Sequence, residues 1–190
     1  AENLELLERG CENLLAHIEI VKHSGIRPVV CLNGFYSDSK AERALVRRVA
    51  EAAGARFAVS DHWLLGGEGA RELAEEVVAA CEEENSFRYL SELTEPLSQR
   101  VETIVREVYG GEGVDWSSVA QEKLRRYESD ASTANLPVCM AKTQYSLAHD
   151  ATMVGRPRGW RLPVRDLLLY QGAGLVVPVV GEIKLMPGTA

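Results

Sequence analysis

The sequence predicts an α/β protein, a βαβ layer with a parallel sheet followed by a smaller α+β region. Three observations carry that expectation. Residues 28–32 are apolar at every position and stop abruptly at Asn33-Gly34, as a strand covered on both faces does before a loop. An amphipathic stretch at residues 41–53 and a second apolar run at residues 56–60 follow with short links. A strand–helix–strand unit of this kind crosses over right-handed, so its strands run parallel and present their carboxyl ends on one edge. Residues 82–91 then turn polar and lose periodicity, which marks a linker. The expected division is residues 1–90 and residues 91–190.

Taken in order, residues 3–24 place Leu4, Leu7, Cys11, Leu14, Leu15, Ile18 and Val21 at three- and four-residue spacing, one apolar stripe on a long helix that Gly25 stops. His17 and His23 on this helix have no second ligand at a suitable spacing and read as surface or interface residues. In the loop after the first strand Gly34 supplies conformational freedom, and Ser37 or Asp38 is positioned to accept from the free amides of the next helix. That helix should turn Ala44, Leu45, Val49 and Ala52 inward, with Gly54 at its end. Phe35 and Tyr36 fall where ligands of open α/β sheets sit, outside the strand ends, although a core position for Phe35 is equally open.

The second loop reads Asp61-His62-Trp63-Leu64-Leu65-Gly66-Gly67-Glu68-Gly69 and should face the first. A tryptophan beside three glycines is an unusual core residue. The loop lacks a P-loop pattern and Glu68 would repel phosphate. Asp61 and His62 are neighbours, but adjacent side chains of an extended segment point apart, which argues against an acid/base pair. A third helix spans residues 70–81.

Farther on, residues 97–109 and 116–127 are helical, the second with Asp115 as its cap. Residues 136–140, 161–165 and 175–180 are strand candidates, with irregular stretches at 143–159 and 168–174. Lys142, Arg156 and Arg158 near Pro157 form either a basic turn for a phosphate or purine, or a solvated loop.

The whole composition narrows the function classes. With 190 residues, 46% hydrophobic, the chain can bury a core, and 28 acidic against 21 basic residues leave a net charge of −7 with no broad positive field for nucleic acid or anionic membrane. No apolar run approaches the roughly 20 residues of a membrane span, and the acidic amino terminus lacks a signal-peptide pattern, so a soluble cytoplasmic protein is expected. Cys11, Cys31, Cys81 and Cys139 are too scattered for a zinc site and read as reduced, buried thiols.

Several stretches together resemble one family. Residues 27–39 with the Lys40-Ala41-Glu42 that follows, Trp63 before Gly66-Gly67-Glu68-Gly69, the long run Asn135-Leu136-Pro137-Val138-Cys139-Met140-Ala141-Lys142-Thr143-Gln144-Tyr145-Ser146-Leu147, then Leu162-Pro163-Val164-Arg165-Asp166 and Met186-Pro187-Gly188, are similar to formate–tetrahydrofolate ligase. The resemblance runs along nearly the whole chain and matches only the carboxyl-terminal part of a much longer P-loop-type ligase. It implies an ATP-dependent enzyme that joins formate to tetrahydrofolate through formyl phosphate, giving 10-formyltetrahydrofolate. It further implies that Phe35 and Trp63 sandwich the pterin ring, and that Val59, Arg156, Pro157 and Arg158 lie where the family contacts the nucleotide. ATP with magnesium would bind mainly on the amino-terminal P-loop portion, which this sequence lacks. The expected partners are that portion, or a chain supplying it, and further copies of this chain. On this reading the chain alone is inactive; the alternative is a non-catalytic folate- or nucleotide-binding module. Two departures stand out: Tyr36, where many relatives carry a small residue, and Leu168-Leu169-Tyr170-Gln171, where relatives commonly read Arg-Ala-Ser-Ala before Gly172-Ala173-Gly174.

Overall fold

The computed structural model describes residues 2–140 and 142–181; Met186-Pro187-Gly188 and Ala141 of the family resemblance lie outside them. The protein is a mixed α/β chain made of two compact units, Ala1–Arg88 and Tyr89–Ala190.

In the first unit, α1 (Leu4–His23) begins at Asn3, whose side-chain oxygen accepts from the Leu6 N–H at 3.0 Å. Its apolar stripe packs as the spacing predicts, with Cys11 and Ile18 buried, although Val21 remains exposed. Gly25 ends it at φ +78°, and a Cβ there would lie 2.0 Å from the Ser86 carbonyl oxygen. Only glycine suits both constraints. The Ser86 and Arg88 amides donate to the Gly25 and Ser24 carbonyls at 3.0 and 2.9 Å, so the start of the polar segment is fastened to this unit.

Strand β1 (Val29–Asn33), helix α2 (Lys40–Ala52) and strand β2 (Arg56–Ser60) form the βαβ unit, and β1 and β2 pair in parallel with Val30 opposite Phe57 and Leu32 opposite Val59. Two expectations change. The inward face of α2 carries Leu45, Val46 and Ala50, while Ala44 and Ala52 are exposed. The register is set by Phe57, Val30 and Leu32, against which the buried Ala50 packs. Nor is β1 buried on both faces. Val30 and Leu32 pack toward α1 and α2, but Cys31, on the opposite face, is exposed because α4 (Arg71–Glu82) packs mainly over β2. Cys81 and Cys139 are exposed too, so only Cys11 is the buried thiol expected of all four, and burial pushes its pKa up. All four are free.

The second unit starts with α5 (Leu97–Thr103), which continues through a π-helical turn, Ile104–Val108. Strand β3 (Val114–Trp116), helix α6 (Ser118–Ser129), strand β4 (Leu162–Tyr170) and strand β5 (Leu175–Val180) follow. β3 pairs in parallel with β4, and β4 antiparallel with β5. Leu97, Val101, Leu162, Val164 and Val176 fill its core. Arg100 is buried among them and donates to the carbonyls of Glu95 at 3.0 Å, Leu136 at 2.6 Å and Ala134. These bonds fix residues 134–136 against α5.

Three expectations fail here for local reasons. Trp116 ends a strand, and Ser117, not Asp115, caps α6 by accepting from the Ala120 N–H at 3.1 Å; Asp115 instead pairs with Arg161 at 2.6 Å. Residues 136–140 form a single bridge, Val138 with Val176, rather than a strand, since Pro137 has no N–H to extend the ladder. Residues 168–170 belong to β4, held by Val177, Val176 and Leu175 opposite them. No local pattern announces that pairing.

Candidate functional site

The site of interest in the first unit lies at the carboxyl ends of β1 and β2. Because the two strands run parallel, their following loops leave on one edge, and the Gly34 N–H carries the ladder one step further by donating to the Ser60 carbonyl at 2.9 Å.

The first loop is a closed turn. The Asp38 carboxylate accepts from the Phe35 N–H at 2.8 Å, and the Asp38 N–H donates back to the Phe35 carbonyl at 3.1 Å. Asp38 therefore shapes the turn. The helix cap is Ser39, whose hydroxyl accepts from the Glu42 N–H at 3.1 Å while the Glu42 carboxylate accepts from the Ser39 N–H at 2.8 Å, a reciprocal capping box.

The second loop is helical where an irregular segment is expected. Residues 62–65 form α3 (His62–Leu65), and a 3-10 turn, Gly66–Ala70, leads into α4. His62 turns its Nδ1 to the Ser60 hydroxyl at 3.0 Å, and Asp61 turns to Arg43, so these neighbours do not pair with each other.

Arg43 joins the two loops. Its guanidinium donates to the Phe35 carbonyl at 3.0 Å and to both Asp61 oxygens at 3.4 Å, and its Nε lies 4.0 Å from Asp38. Trp63 adds a second tie, its indole N–H donating to the Gly34 carbonyl at 2.6 Å. A Cβ on Gly34 would sit 2.3 Å from Asp61 Oδ1 and 2.9 Å from Arg43 Nη2, so the close approach requires glycine.

With the polar groups turned inward, the rim presents rings. Phe35 is 54% exposed, Trp63 49% and Tyr36 89%, and Leu64 and Leu65 are exposed beside them. A core position for Phe35 is thereby excluded. Beside Phe35 a cleft of about 340 Å³ opens between α1, β1 and α2, lined by Leu7, Leu32, Asn33, Asp38, Arg43 and Val46 among others. The flat, exposed face of Phe35 at the edge of that cleft suits a planar heterocycle.

Val59 is half-buried in β2, and its N–H donates to the Glu72 carboxylate at 3.2 Å. In the second unit, the Pro157 carbonyl accepts from the Trp160 indole at 3.2 Å, Arg156 is half-buried and Arg158 is exposed. Lys142 is withdrawn from the basic turn expected there. Its ammonium donates to the carbonyls of Thr143 at 2.7 Å and of Ser146, lies over the Tyr109 ring at 4.9 Å, and has its pKa lowered by burial. A second concavity of about 580 Å³ lies over the long motif, lined by Thr143, Gln144, Tyr145, His149 and Asp150. Among the described residues no group of three or more His, Cys, Asp or Glu side chains is placed to hold a metal ion.

Sequence reasoning missed Arg43 and Glu72, because on an amphipathic helix an arginine or glutamate facing outward gives no signal of what it reaches. The proximity of the two loops is the only hint that something must bridge them.

Comparison with known proteins bears on all of this. The family model described as formate–tetrahydrofolate ligase matches residues 1–190. The formate–tetrahydrofolate ligase of Dehalococcoides mccartyi strain CBDB1 is 55% identical over 188 residues, covering 99% of this chain and 32% of that protein. That of Desulfotalea psychrophila is 53% identical over 188 residues, covering 99% and 34%. That of Syntrophobacter fumaroxidans is 49% identical over 189 residues, covering 100% and 32%. The chain thus spans about a third of the length of the curated relatives it matches.

Proposed function

From the premise that this chain belongs to the formate–tetrahydrofolate ligase family, we propose that it is the folate-binding portion of a ligase that forms 10-formyltetrahydrofolate from formate, tetrahydrofolate and ATP through formyl phosphate. Phe35 and Trp63 hold the pterin ring. The observation that carries this reading is their placement: two half-exposed rings on the joined loops of adjacent parallel strands, tied by the bond from Trp63 to Gly34. An exposed ring held by its own polar edge costs little rotamer entropy on binding and offers a fixed stacking face.

ATP and its magnesium bind mainly through ligase polypeptide outside this chain, and the chain alone does not turn over. No P-loop pattern occurs in the sequence to cradle the phosphates. Val59, Arg156, Pro157 and Arg158 contribute the nucleotide contacts that the family resemblance assigns to them. Copies of this chain associate with each other and with that outside polypeptide in the cytoplasm; among the described residues no helix is long and apolar enough to cross a membrane. The second reading, a binding module without catalysis, keeps the clamp and drops the chemistry.

Calorimetric titration with tetrahydrofolate tests the clamp. Trp63→Ala should weaken binding by about 1–3 kcal/mol, roughly 5- to 150-fold, with unchanged circular dichroism, as loss of one stacking face predicts. Unchanged affinity would remove Trp63 from the site. An assay for 10-formyltetrahydrofolate with ATP and formate should read zero for this chain alone, and clear turnover would overturn the assignment of the phosphate site to other polypeptide.

A further inference from the structure

Tyr36 is the most exposed large apolar side chain among the described residues, with 89% of its surface open to solvent. Its backbone, by contrast, is held. Tyr36 occupies the second position of the turn in which the Asp38 N–H donates to the Phe35 carbonyl at 3.1 Å, the bond that closes a β-turn. The Phe35 N–H donates to the Asp38 carboxylate at 2.8 Å, and Arg43 donates to the same Phe35 carbonyl at 3.0 Å. These bonds fix the turn, while the Tyr36 side chain makes no hydrogen bond or ring contact among the described residues. Nor does the ring stand alone. Phe35, Trp63, Leu64 and Leu65 are exposed on the same pair of joined loops, and clustered exposed apolar groups mark a binding surface.

Side chains of neighbouring residues diverge, so Phe35 and Tyr36 do not share one face of a single heterocycle. They serve one ligand by meeting two different rings of it. Tetrahydrofolate has two: the pterin, and the p-aminobenzoyl group joined to it through one methylene and one nitrogen. Charge decides which way that second ring leaves, because it carries the anionic glutamate end. The cleft beside Phe35 is lined by Asp38 and Glu42, and the cation among its lining residues, Arg43, is engaged with Asp61 and the Phe35 carbonyl. Those carboxylates repel the glutamate, so the arm leaves over the open rim, where Tyr36 stands.

We propose that Tyr36 is a specificity-determining residue that stacks on the p-aminobenzoyl ring of tetrahydrofolate, a third aromatic contact beyond the two assigned to the pterin. The inference rests on the folate reading and adds that affinity depends on the arm of the ligand as well as its head. The face of the ring makes the contact and the hydroxyl stays in water at its outer edge. Trp63 is held in advance by its bond to Gly34, whereas Tyr36 gives up rotamer freedom on binding, so its contribution is the smaller.

Two ligands separate the contacts: tetrahydrofolate carries both rings, and 6-methyltetrahydropterin only the pterin. In calorimetric titrations Tyr36→Ala should weaken tetrahydrofolate binding by about 3- to 10-fold and leave that of 6-methyltetrahydropterin unchanged. Tyr36→Phe should match wild type for both ligands, and Trp63→Ala should weaken both. Saturation-transfer NMR reads the same contact at weak affinity. Wild type should pass saturation to the p-aminobenzoyl protons of tetrahydrofolate and to those on C6 and C7 of its pterin; in Tyr36→Ala the first transfer should fall and the second persist. Unchanged affinity with undiminished aryl transfer in Tyr36→Ala overturns the proposal and leaves the pterin clamp standing. Equal losses for the two ligands also overturn it, since Tyr36 would then act on the pterin or on the turn. A loss in Tyr36→Phe would assign the contact to the hydroxyl and overturn stacking. If neither ligand receives saturation from wild type, the folate reading fails, and this proposal with it.

Discussion

The indole N–H of Trp63 donates to the carbonyl oxygen of Gly34 at 2.6 Å, across the carboxyl ends of two parallel strands. One ring thereby does two things: it fixes the distance between the loops and leaves half of its own surface open. Trp63→Phe separates these roles. It keeps an aromatic face but has no donor, so it should cost about 0.5–1.5 kcal/mol of stability, the usual net worth of one hydrogen bond. Tetrahydrofolate affinity should fall less than for Trp63→Ala. Urea midpoints with parallel titrations check both, and equal loss of affinity in the two variants would mean that position, not stacking, is what Trp63 supplies.

Gly34→Ala should be harmful out of proportion to one methyl group. The new Cβ would fall 2.3 Å from Asp61 Oδ1 and 2.9 Å from Arg43 Nη2, so the link between the loops must break or the turn must move. A cost of about 1–3 kcal/mol is expected for such overpacking. In an Arg43→Met background the penalty should shrink, because part of the arrangement is already lost. Strict additivity of the two changes, measured by chemical denaturation, would show that Gly34 acts through something other than Arg43.

Glu83 links stability to pH. The Arg56 guanidinium, hydrogen-bonded to it at 2.6 Å, holds its carboxyl below the usual glutamate range, with Arg27 at 3.0 Å adding to the effect. A lowered folded pKa means that the unfolded chain takes up the proton first on acidification. The contribution is therefore fully present above the ordinary glutamate value of about 4.3, and is lost as pH falls through the depressed folded value. Glu83→Gln should reduce stability near neutrality and flatten this part of the acid limb. Urea midpoints measured from neutral to acid pH test it; an unchanged acid limb would mean that the pair is fully screened by solvent.

Arg100→Met should destabilise the second unit strongly, because methionine fills the space but leaves the carbonyls of Glu95, Ala134 and Leu136 without their donor. Each acceptor left buried and unpaired costs about 1–3 kcal/mol. The expected readout is a large drop in the thermal midpoint, with residues 134–136 becoming sensitive to protease. A midpoint within a degree or two of wild type would show that water replaces the guanidinium.

The sequence by itself determines the elements whose signal is local. The α1 stripe with Gly25, β2 at residues 56–60, the parallel βαβ order and β5 at residues 175–180 were legible because periodicity, apolar runs and glycine stops act within a few residues. Trp63 was legible as an exposed candidate because a tryptophan beside three glycines in a loop makes an unusual core residue, whereas the sequence left Phe35 open between rim and core and its 54% exposure decided it. The tertiary structure alone decided what depends on partners distant in the chain. The extension of β4 through Tyr170 comes from its pairing with β5, the exposure of Cys31 comes from where α4 settles, and the Tyr109 ring lies 4.9 Å from the Lys142 ammonium although 33 residues separate them in the chain. Arg43 is the clearest case. It reaches the Phe35 carbonyl and Asp61 from a helix face that its own sequence marks only as polar, since hydrophobic periodicity records which way a side chain points and not what it will meet.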